Sequence, residues 1–555
     1  MTDRAFAPVR VEDVAALVAA IENVVTAAVR SATDLTEGGK GIDDHQVHSE
    51  RIAYAATELE ACKAITAYAR DAARSGAADA SLYAEEAAVY VGEVAARLHA
   101  TALVAQADFN LPTGLLERAL GGSATIARIG DFTAEARVRA IGRRVAEARG
   151  ANHTWLPSDD VRMVRDSVRA FAEQEVAPLA EHIHRHDDLV PDGLIRKMAD
   201  MGYFGMAVPE AYGGLEMGNV AMIITTEELS RVSLAAAGSL ITRPEILTKA
   251  LLKGGTEDQK KQWLGRLASG EIMVAISVTE PDVGSDVASV ACRAEPAEVG
   301  GRKGYRINGA KAWCTFAGRA NVLAVLLRTD PNPAAGARGL SLFVVEKDAF
   351  PGHEFTMRQP TGGVLTGKAD ATPGYRGMHS FTLAFEDYFV PAENLIGLES
   401  GLNKGFYLQM NGFAAGRLQT GGRASGLAQA ALEVSAIYAS DRKQFKRPII
   451  EFQLTQYKLG RMAVHAQAAR QLTYEAARAM DADEAISLLP AMAKLLSCDI
   501  AVWVTQEGQL LHGGWGYAEE YPISRYVIDA QVLPIFEGVK PILELKVIAR
   551  QLVGG

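Results

Sequence analysis

The sequence predicts a multidomain α+β chain, with an antiparallel barrel or sandwich of short strands between helical blocks and an extra helical domain in front. Three observations predict it. The first 150 residues hold 38 alanines and only two of the 20 prolines, Pro8 and Pro112, and alanine favours helix as strongly as proline opposes it. Between 273 and 395 the texture changes to short β-branched runs separated by Gly, Pro and Asp. After Pro391 long helical periods return to the end of the chain.

Taken in order, Gly121-Gly122 and the stretch 150–157 (Gly-Ala-Asn-His-Thr-Trp-Leu-Pro) are the expected joints of the leading block. Ser158-Asp-Asp-Val starts a new helix, with Val161, Val164, Val168 and Phe171 at helical spacing. Helix continues to about Ser269, broken by the turn 209–214. Strands are expected at 273–278, 305–308, 321–327, 340–345 and 381–385. The closing helices are expected at 402–440, 451–481 and 486–511. The domains are therefore 1–150, 151–272, 273–395 and 396–555. One internal repeat is visible at an offset of 407: Gln46 meets Gln453, Val47 meets Leu454, Ile52 meets Leu459, Ala56 meets Ala463 and Ala69 meets Ala476. It reads either as shared alanine-rich composition or as a decayed copy of the C-terminal helical unit.

Composition narrows the function. With 67 acidic and 57 basic side chains the net charge is −10, which disfavours a general nucleic-acid or membrane-surface binder. Cys62, Cys292, Cys314 and Cys498 lie far apart, so neither a disulfide framework nor a zinc knuckle is expected. The acidic start is unlike a signal peptide, and no uncharged apolar run reaches the ~18 residues of a membrane span. A soluble, cytoplasmic protein is expected. The segment 362–369 (Gly-Gly-Val-Leu-Thr-Gly-Lys-Ala) fails as a phosphate loop at Ala369, where a hydroxyl must hold Mg²⁺. Glu181-His-Ile-His-Arg-His186 reads as an exposed helix end, and no metal is expected there. No GxGxxG follows a strand, against a nicotinamide fold.

Six motifs in order resemble the acyl-CoA dehydrogenase family. They begin with Gly205-Met-Ala-Val-Pro-Glu-Ala-Tyr-Gly-Gly214 and Ser277-Val-Thr-Glu-Pro-Asp-Val-Gly-Ser-Asp286. Asn308-Gly-Ala-Lys-Ala-Trp-Cys-Thr315 and 385–397 (Phe-Glu-Asp-Tyr-Phe-Val-Pro-Ala-Glu-Asn-Leu-Ile-Gly) follow. The last are Asp441-Arg-Lys-Gln-Phe445 with Glu451-Phe-Gln453, and His512-Gly-Gly-Trp-Gly-Tyr517 with Phe536-Glu-Gly538. The resemblance implies an α-helical domain, an antiparallel β-barrel domain and a C-terminal four-helix bundle. It also implies FAD and an acyl-CoA substrate. Thioester desaturation needs a base for the α-proton, and a flavin to take hydride from the β-carbon. Glu537 resembles the family's base, with Gly538 beside the substrate. Some members place the base just before the helix arginine, but here Gly416 precedes Arg417.

By resemblance, Ile276, Ser277, Val278 and Thr279 run along the flavin ring, and Gly284 and Ser285 meet FAD pyrophosphate or CoA. Trp313 packs on the isoalloxazine and Thr315 bonds near N5. Arg442, Gln444, Phe445 and Gln453, with Gly513-Gly514, hold the adenosine half from a neighbouring subunit. Three departures stand out: Val539 and Pro541 replace a Thr and a Gln, and Leu510 replaces a Gln, with Gln509 next to it. The extension and the C-terminal ending resemble members whose substrate ends in a second carboxylate. Arg243, on an otherwise apolar helix, is the candidate to hold it, with Arg376 a weaker one; a surface arginine laid along the protein is the competing reading for Arg243. The resemblance further implies electron-transferring flavoprotein as acceptor and a homo-oligomer, here a dimer if the extension covers the face that packs dimers into tetramers. An acyl-CoA oxidase and a non-catalytic acyl-CoA-binding protein are the alternatives.

Overall fold

The computed structural model describes residues 7–151, 153–483 and 485–554. Packing divides the chain into two units, one formed by residues up to 164 together with those from 420 onward, the other by 165–419.

The first unit is helical apart from one short antiparallel hairpin, Lys443–Gln444 with Arg447–Pro448. Its leading part holds α1 (Val11–Leu35), α2 (Gln46–Arg74) and α3 (Ala80–Val104), then the shorter helices Ser123–Phe132 and Glu135–Glu147. Its C-terminal part holds the end of the Gly405–Asp441 helix, then Gln453–Ala482 and Leu488–His512. In α1, Val14, Leu17, Val18, Ile21, Val24, Val25 and Ala28 are buried, a stripe at i+3 and i+4 spacing. The two parts meet along the Gln453–Ala482 helix, which packs against α2, α3 and Glu135–Glu147. At the crossing with Glu135–Glu147 no side chain fits. A Cβ on Gly142 would lie 1.8 Å from the Gln456 carbonyl oxygen, and one on Gly460 would lie 2.1 Å from that of Val138. The joint at Gly150 is equally tight: its φ is +76°, and a Cβ there would lie 2.5 Å from the Glu433 Cα.

The 407-residue offset has a structural counterpart. Helix α2 starts at Gln46 and the later helix at Gln453, and the next helix in each block, α3 and Leu488–His512, is 25 residues long. Val11–Leu35, Ala80–Val104 and 488–516 are long and apolar enough to cross a membrane by length and composition alone. None of them is an uncharged run, because each carries an occasional charge. Buried side chains of α1, α3 and Leu488–His512 face neighbouring helices of the unit.

In the second unit, helices between Ala177–His186 and Glu257–Ala268 accompany an eight-stranded sheet. The strands are β1 (Val274–Ser277), β2 (Arg293–Val299), β3 (Arg302–Thr315), β4 (Val322–Arg328), β5 (Leu340–Glu346), β6 (Glu354–Arg358), β7 (Val364–Ala369) and β8 (Ser380–Pro391). The order is β1-β4-β2-β3-β8-β7-β6, with β5 also on β4. Pairing is mainly antiparallel, as expected, but β1 runs parallel to β4. The intervening β2–β3 hairpin, turning at Gly300-Gly301 with φ of +59° and +80°, gives the chain the long return that parallel pairing requires. Strands β4 and β5, nearly all buried, join Leu247, Leu251, Trp263 and Leu264 in one core. The segment resembling a phosphate loop is the turn into β7 and β7 itself, with no helix after it.

One ion cluster ties the leading helices to the C-terminal ones. Glu93 on α3 accepts two 3.0 Å bonds from Arg461 and lies 2.9 Å from His465 Nε2. Burial alone would raise the Glu93 carboxyl, but the His465 and Arg461 hydrogen bonds outweigh it and hold it at about 2. Its folded pKa is therefore depressed, so its stabilisation is complete above an unfolded value near 4.5 and is lost as pH falls towards 2. Glu93→Gln should cost about 2–4 kcal/mol at pH 7, and the difference from wild type should shrink in denaturant melts at pH 3.

Candidate active site

In the second unit, a buried ion pair shapes the strand end that carries residues 276–280. Lys311, 0% exposed at its side chain, donates to the Val278 carbonyl at 3.0 Å and to Glu280 Oε1 at 2.9 Å. The Glu280 carboxylate also accepts the backbone N–H groups of Ala291 and Cys292 at 2.9 and 2.8 Å. The carbonyl of Thr279 takes the Ala312 N–H at 2.8 Å. These bonds lock the end of β1 against β3. Ser277 and Val278 turn their side chains inward, Ile276 and Thr279 are half-buried, and Gly284 and Ser285 are exposed. Cys314 Sγ reaches Ser277 Oγ at 3.1 Å.

The pairing of β3 with β8 slips between Lys311 and Cys314. In that slip Trp313 adopts φ +58° and stays 59% exposed. A large apolar ring held outward in a left-handed backbone loses packing and costs strain, as expected of a surface made for a flat ligand. Next to it, Thr315 Oγ1 lies 3.0 Å from Ser380 Oγ.

Arg243 is not a surface arginine. It is 6% exposed, donating to the Ser239 carbonyl at 2.7 Å and to the Tyr375 hydroxyl at 3.2 Å. Arg376 is committed elsewhere, to the carbonyls of Thr372 and His184 and to Asp187. His182, His186 and Asp188 cluster at the exposed helix end, and Asp187, His353 and His379 form a second group close by. Asp187 Oδ1 in that second group already faces Arg376 Nε and His379 Nε2, both at 3.2 Å.

In the first unit, Arg442, Gln444, Gly513 and Gly514 line one cavity of about 580 Å³, together with Tyr438, Leu510 and Trp515. Gly513 ends its helix at φ +60°, and a Cβ on Gly513 or Gly514 would meet nothing within 4 Å, so the space over this turn is open to a ligand. His512 stacks on Tyr438 at 4.3 Å beneath it. Leu510 faces the cavity, whereas Gln509 spends its amide on the Gly516 carbonyl at 3.1 Å. Gln509 thereby closes the turn. Phe445 is 87% exposed with φ +50°, and Gln453 is exposed at the start of its helix.

Glu537 sits at the crown of a turn. Its φ is +55° and that of Gly538 is +102°, two successive left-handed residues of which the first costs about 1 kcal/mol for a side chain. Buried cations hold the turn. The Lys494 ammonium donates to the Gly538 carbonyl at 2.7 Å, and the Arg423 guanidinium lies 4.6 Å from the centre of the Phe536 ring.

Family descriptions match three successive segments: the acyl-CoA dehydrogenase N-terminal domain at 158–271, the middle domain at 275–388 and the C-terminal domain at 403–553. The (2S)-methylsuccinyl-CoA dehydrogenase of Cereibacter sphaeroides is 42% identical over 71% of this chain and 70% of its own. The chain belongs to the acyl-CoA dehydrogenase family. Among solved structures, the butyryl-CoA dehydrogenase of Megasphaera elsdenii has TM-score 0.64 and 28% identity, over 70% of this chain and 97% of that one. The glutaryl-CoA dehydrogenase complex with glutaryl-CoA has TM-score 0.65 and 31% identity, over 72% and 97%.

This acyl-CoA dehydrogenase is a flavoprotein, and its residues fit FAD: an outward Trp313 surface, a strand end at 276–279 with Ile276 and Thr279 half-buried, and an open glycine turn beside Arg442 and Gln444. Sequence reasoning passed over Lys311 and Glu280 in the dehydrogenase, although both lie inside quoted motifs. A lone Lys between Ala310 and Ala312, in a strand that buries both Lys311 and Ala312, was the available signal.

Proposed function

We propose that this dehydrogenase oxidises a CoA thioester bearing a second, distal carboxylate, namely (2S)-methylsuccinyl-CoA to mesaconyl-CoA in the ethylmalonyl-CoA pathway. The observation that carries the reading is Arg243. A buried guanidinium is costly unless a charge or dense acceptors meet it, and among the described residues its bonding is to one carbonyl and one hydroxyl. A substrate carboxylate would complete that set, with the bidentate geometry that arginine offers. The similarity to a (2S)-methylsuccinyl-CoA dehydrogenase supports the same choice.

Glu537 takes the α-proton onto its carboxylate, and the α,β double bond forms as hydride leaves the β-carbon. FAD held against residues 276–279 and Trp313 would supply the hydride acceptor. The Lys494 bond fixes the turn carrying Glu537. Residues 276–279 and Trp313 orient the acceptor and keep water from its face. Electron-transferring flavoprotein is the proposed acceptor, and the cytoplasm the proposed location.

The extension covers the Gln453–Ala482 helix within its own chain, and with the matching helix starts at Gln46 and Gln453 this supports a homodimer whose extension is a decayed copy of the C-terminal unit. Leu510, on the cavity wall, and Phe445 and Tyr517, next in sequence to its lining segments, stay 69%, 87% and 88% exposed, which suits a face covered by the second subunit.

Three outcomes test the reading. Glu537→Gln keeps the side-chain shape and should retain FAD and CoA-ester binding, while anaerobic flavin reduction falls on the order of 10³ or more; reduction within tenfold of wild type refutes the base. Arg243→Ala should lose about 2–4 kcal/mol of transition-state stabilisation with methylsuccinyl-CoA and little with isobutyryl-CoA. Equal losses on both esters refute the carboxylate contact. Light scattering should give the mass of two chains, and deletion of residues 1–150 should give a tetramer or aggregate; a full-length tetramer refutes the dimer.

A further inference from the structure

The departures from the family pattern at Val539 and Pro541 flank Lys540, three residues beyond Glu537. The Lys540 ammonium lies 2.6 Å from Asp499 Oδ2. The same oxygen accepts the hydroxyl of Tyr54, on α2 of the N-terminal extension, at 3.0 Å. The ammonium also lies 5.2 Å from the centre of the Tyr54 ring. The loop 534–540 is closed at its base by the Lys540 N–H on the Pro534 carbonyl at 2.9 Å. Its crown is pinned by Lys494 on the Gly538 carbonyl at 2.7 Å. Lys494 and Asp499 belong to one helix, Leu488–His512. The turn that carries Glu537 is thus clamped at crown and exit by side chains of one rigid element, and the exit clamp is completed by the extension.

We propose that the N-terminal extension is a positioning element of the catalytic turn, acting through the Tyr54–Asp499–Lys540 chain. This rests on the reading of Glu537 as the base. The physical reasoning is geometric. Asp499 has two free torsions, and its grip on Lys540 is specific only while a second donor fixes Oδ2. Glu544 offers Lys540 a second carboxylate, its Oε1 3.9 Å from the ammonium. Without the tyrosine hydroxyl, Lys540 can move towards Glu544 and draw residues 537–540 with it. A base displaced by even 1 Å loses about 10²-fold in rate. Tyr54, Asp499 and Lys540 are positioning residues, acting on the substrate only through the turn. Other anchors also reach the C-terminal end, Lys546 pairing with Asp43, but that contact lies a further turn away from the base.

The test uses the full-length, flavin-loaded enzyme with Tyr54→Phe, Lys540→Met and Lys540→Arg. Four quantities are read: flavin absorbance per chain, melting temperature, Kd for mesaconyl-CoA, and the limiting rate of anaerobic flavin reduction by methylsuccinyl-CoA, or by butyryl-CoA if that is the ester that bleaches wild type. Tyr54→Phe should slow reduction about 10-fold and Lys540→Met about 100-fold, with Lys540→Arg recovering most of the Lys540→Met loss. Flavin content and ester Kd should stay within about twofold, and rate should fall without a parallel fall in melting temperature. Wild-type rates in Tyr54→Phe, no recovery in Lys540→Arg, or losses that track flavin content or melting temperature would overturn the proposal. Glu537→Gln run alongside separates the two readings. If it reduces at the wild-type rate the base assignment fails, and if it is inactive while Tyr54→Phe is normal only the tether fails.

Discussion

The arrangement of the helical unit depends on one contact without side chains, Gly142 against Gly460. Any Cβ at either position would overlap a carbonyl of the opposite helix, so the two helices can cross at backbone distance only because both residues are glycine. That crossing seats the leading helices on the Gln453–Ala482 helix. Glu93 then reaches Arg461 and His465, and Tyr54 reaches Asp499. A helix pair separated by ordinary side chains would stand 8–10 Å apart, and the polar contacts built on the closer spacing would not close.

One segment in each unit uses the same device. A buried cation satisfies backbone carbonyls and thereby fixes a strained segment: Lys311 on Val278 beside the left-handed Trp313, and Lys494 on Gly538 beside the left-handed Glu537. Charged hydrogen bonds are stronger than neutral ones, and a buried charge has nowhere else to go. Each therefore holds its segment more firmly than apolar packing could. The strain sits at Trp313 and Glu537, and the rigidity sits one layer behind them.

Much of this was legible in the chain. The long helices fell within a few residues of their expected ends because alanine content and apolar spacing agree over many turns. Strands β1, β4, β5 and β8 were legible from β-branched runs. Strands β2, β6 and β7 were not, because Pro296, Gly367 and alternating charges hide them. Candidate ligands could be named from motifs, since each motif is local. Their supports could not, because Lys311 with Glu280 and Lys540 with Asp499 and Tyr54 join residues far apart in sequence. Whether Arg243 was buried or laid along the surface was likewise undecidable until its helix had neighbours.

The Gly142–Gly460 crossing also sets an order of events during synthesis. Helix α1 leaves the ribosome with a composition suited to a membrane, and its neighbours α2 and α3 follow at once. The surface on which α2 and α3 finally rest is translated some three hundred residues after the glycine that docks it. At roughly 5–20 residues per second, the leading helices stay half-covered for roughly 15–60 s. Throughout that interval, chaperones and proteases meet an apolar flank that the finished molecule never shows.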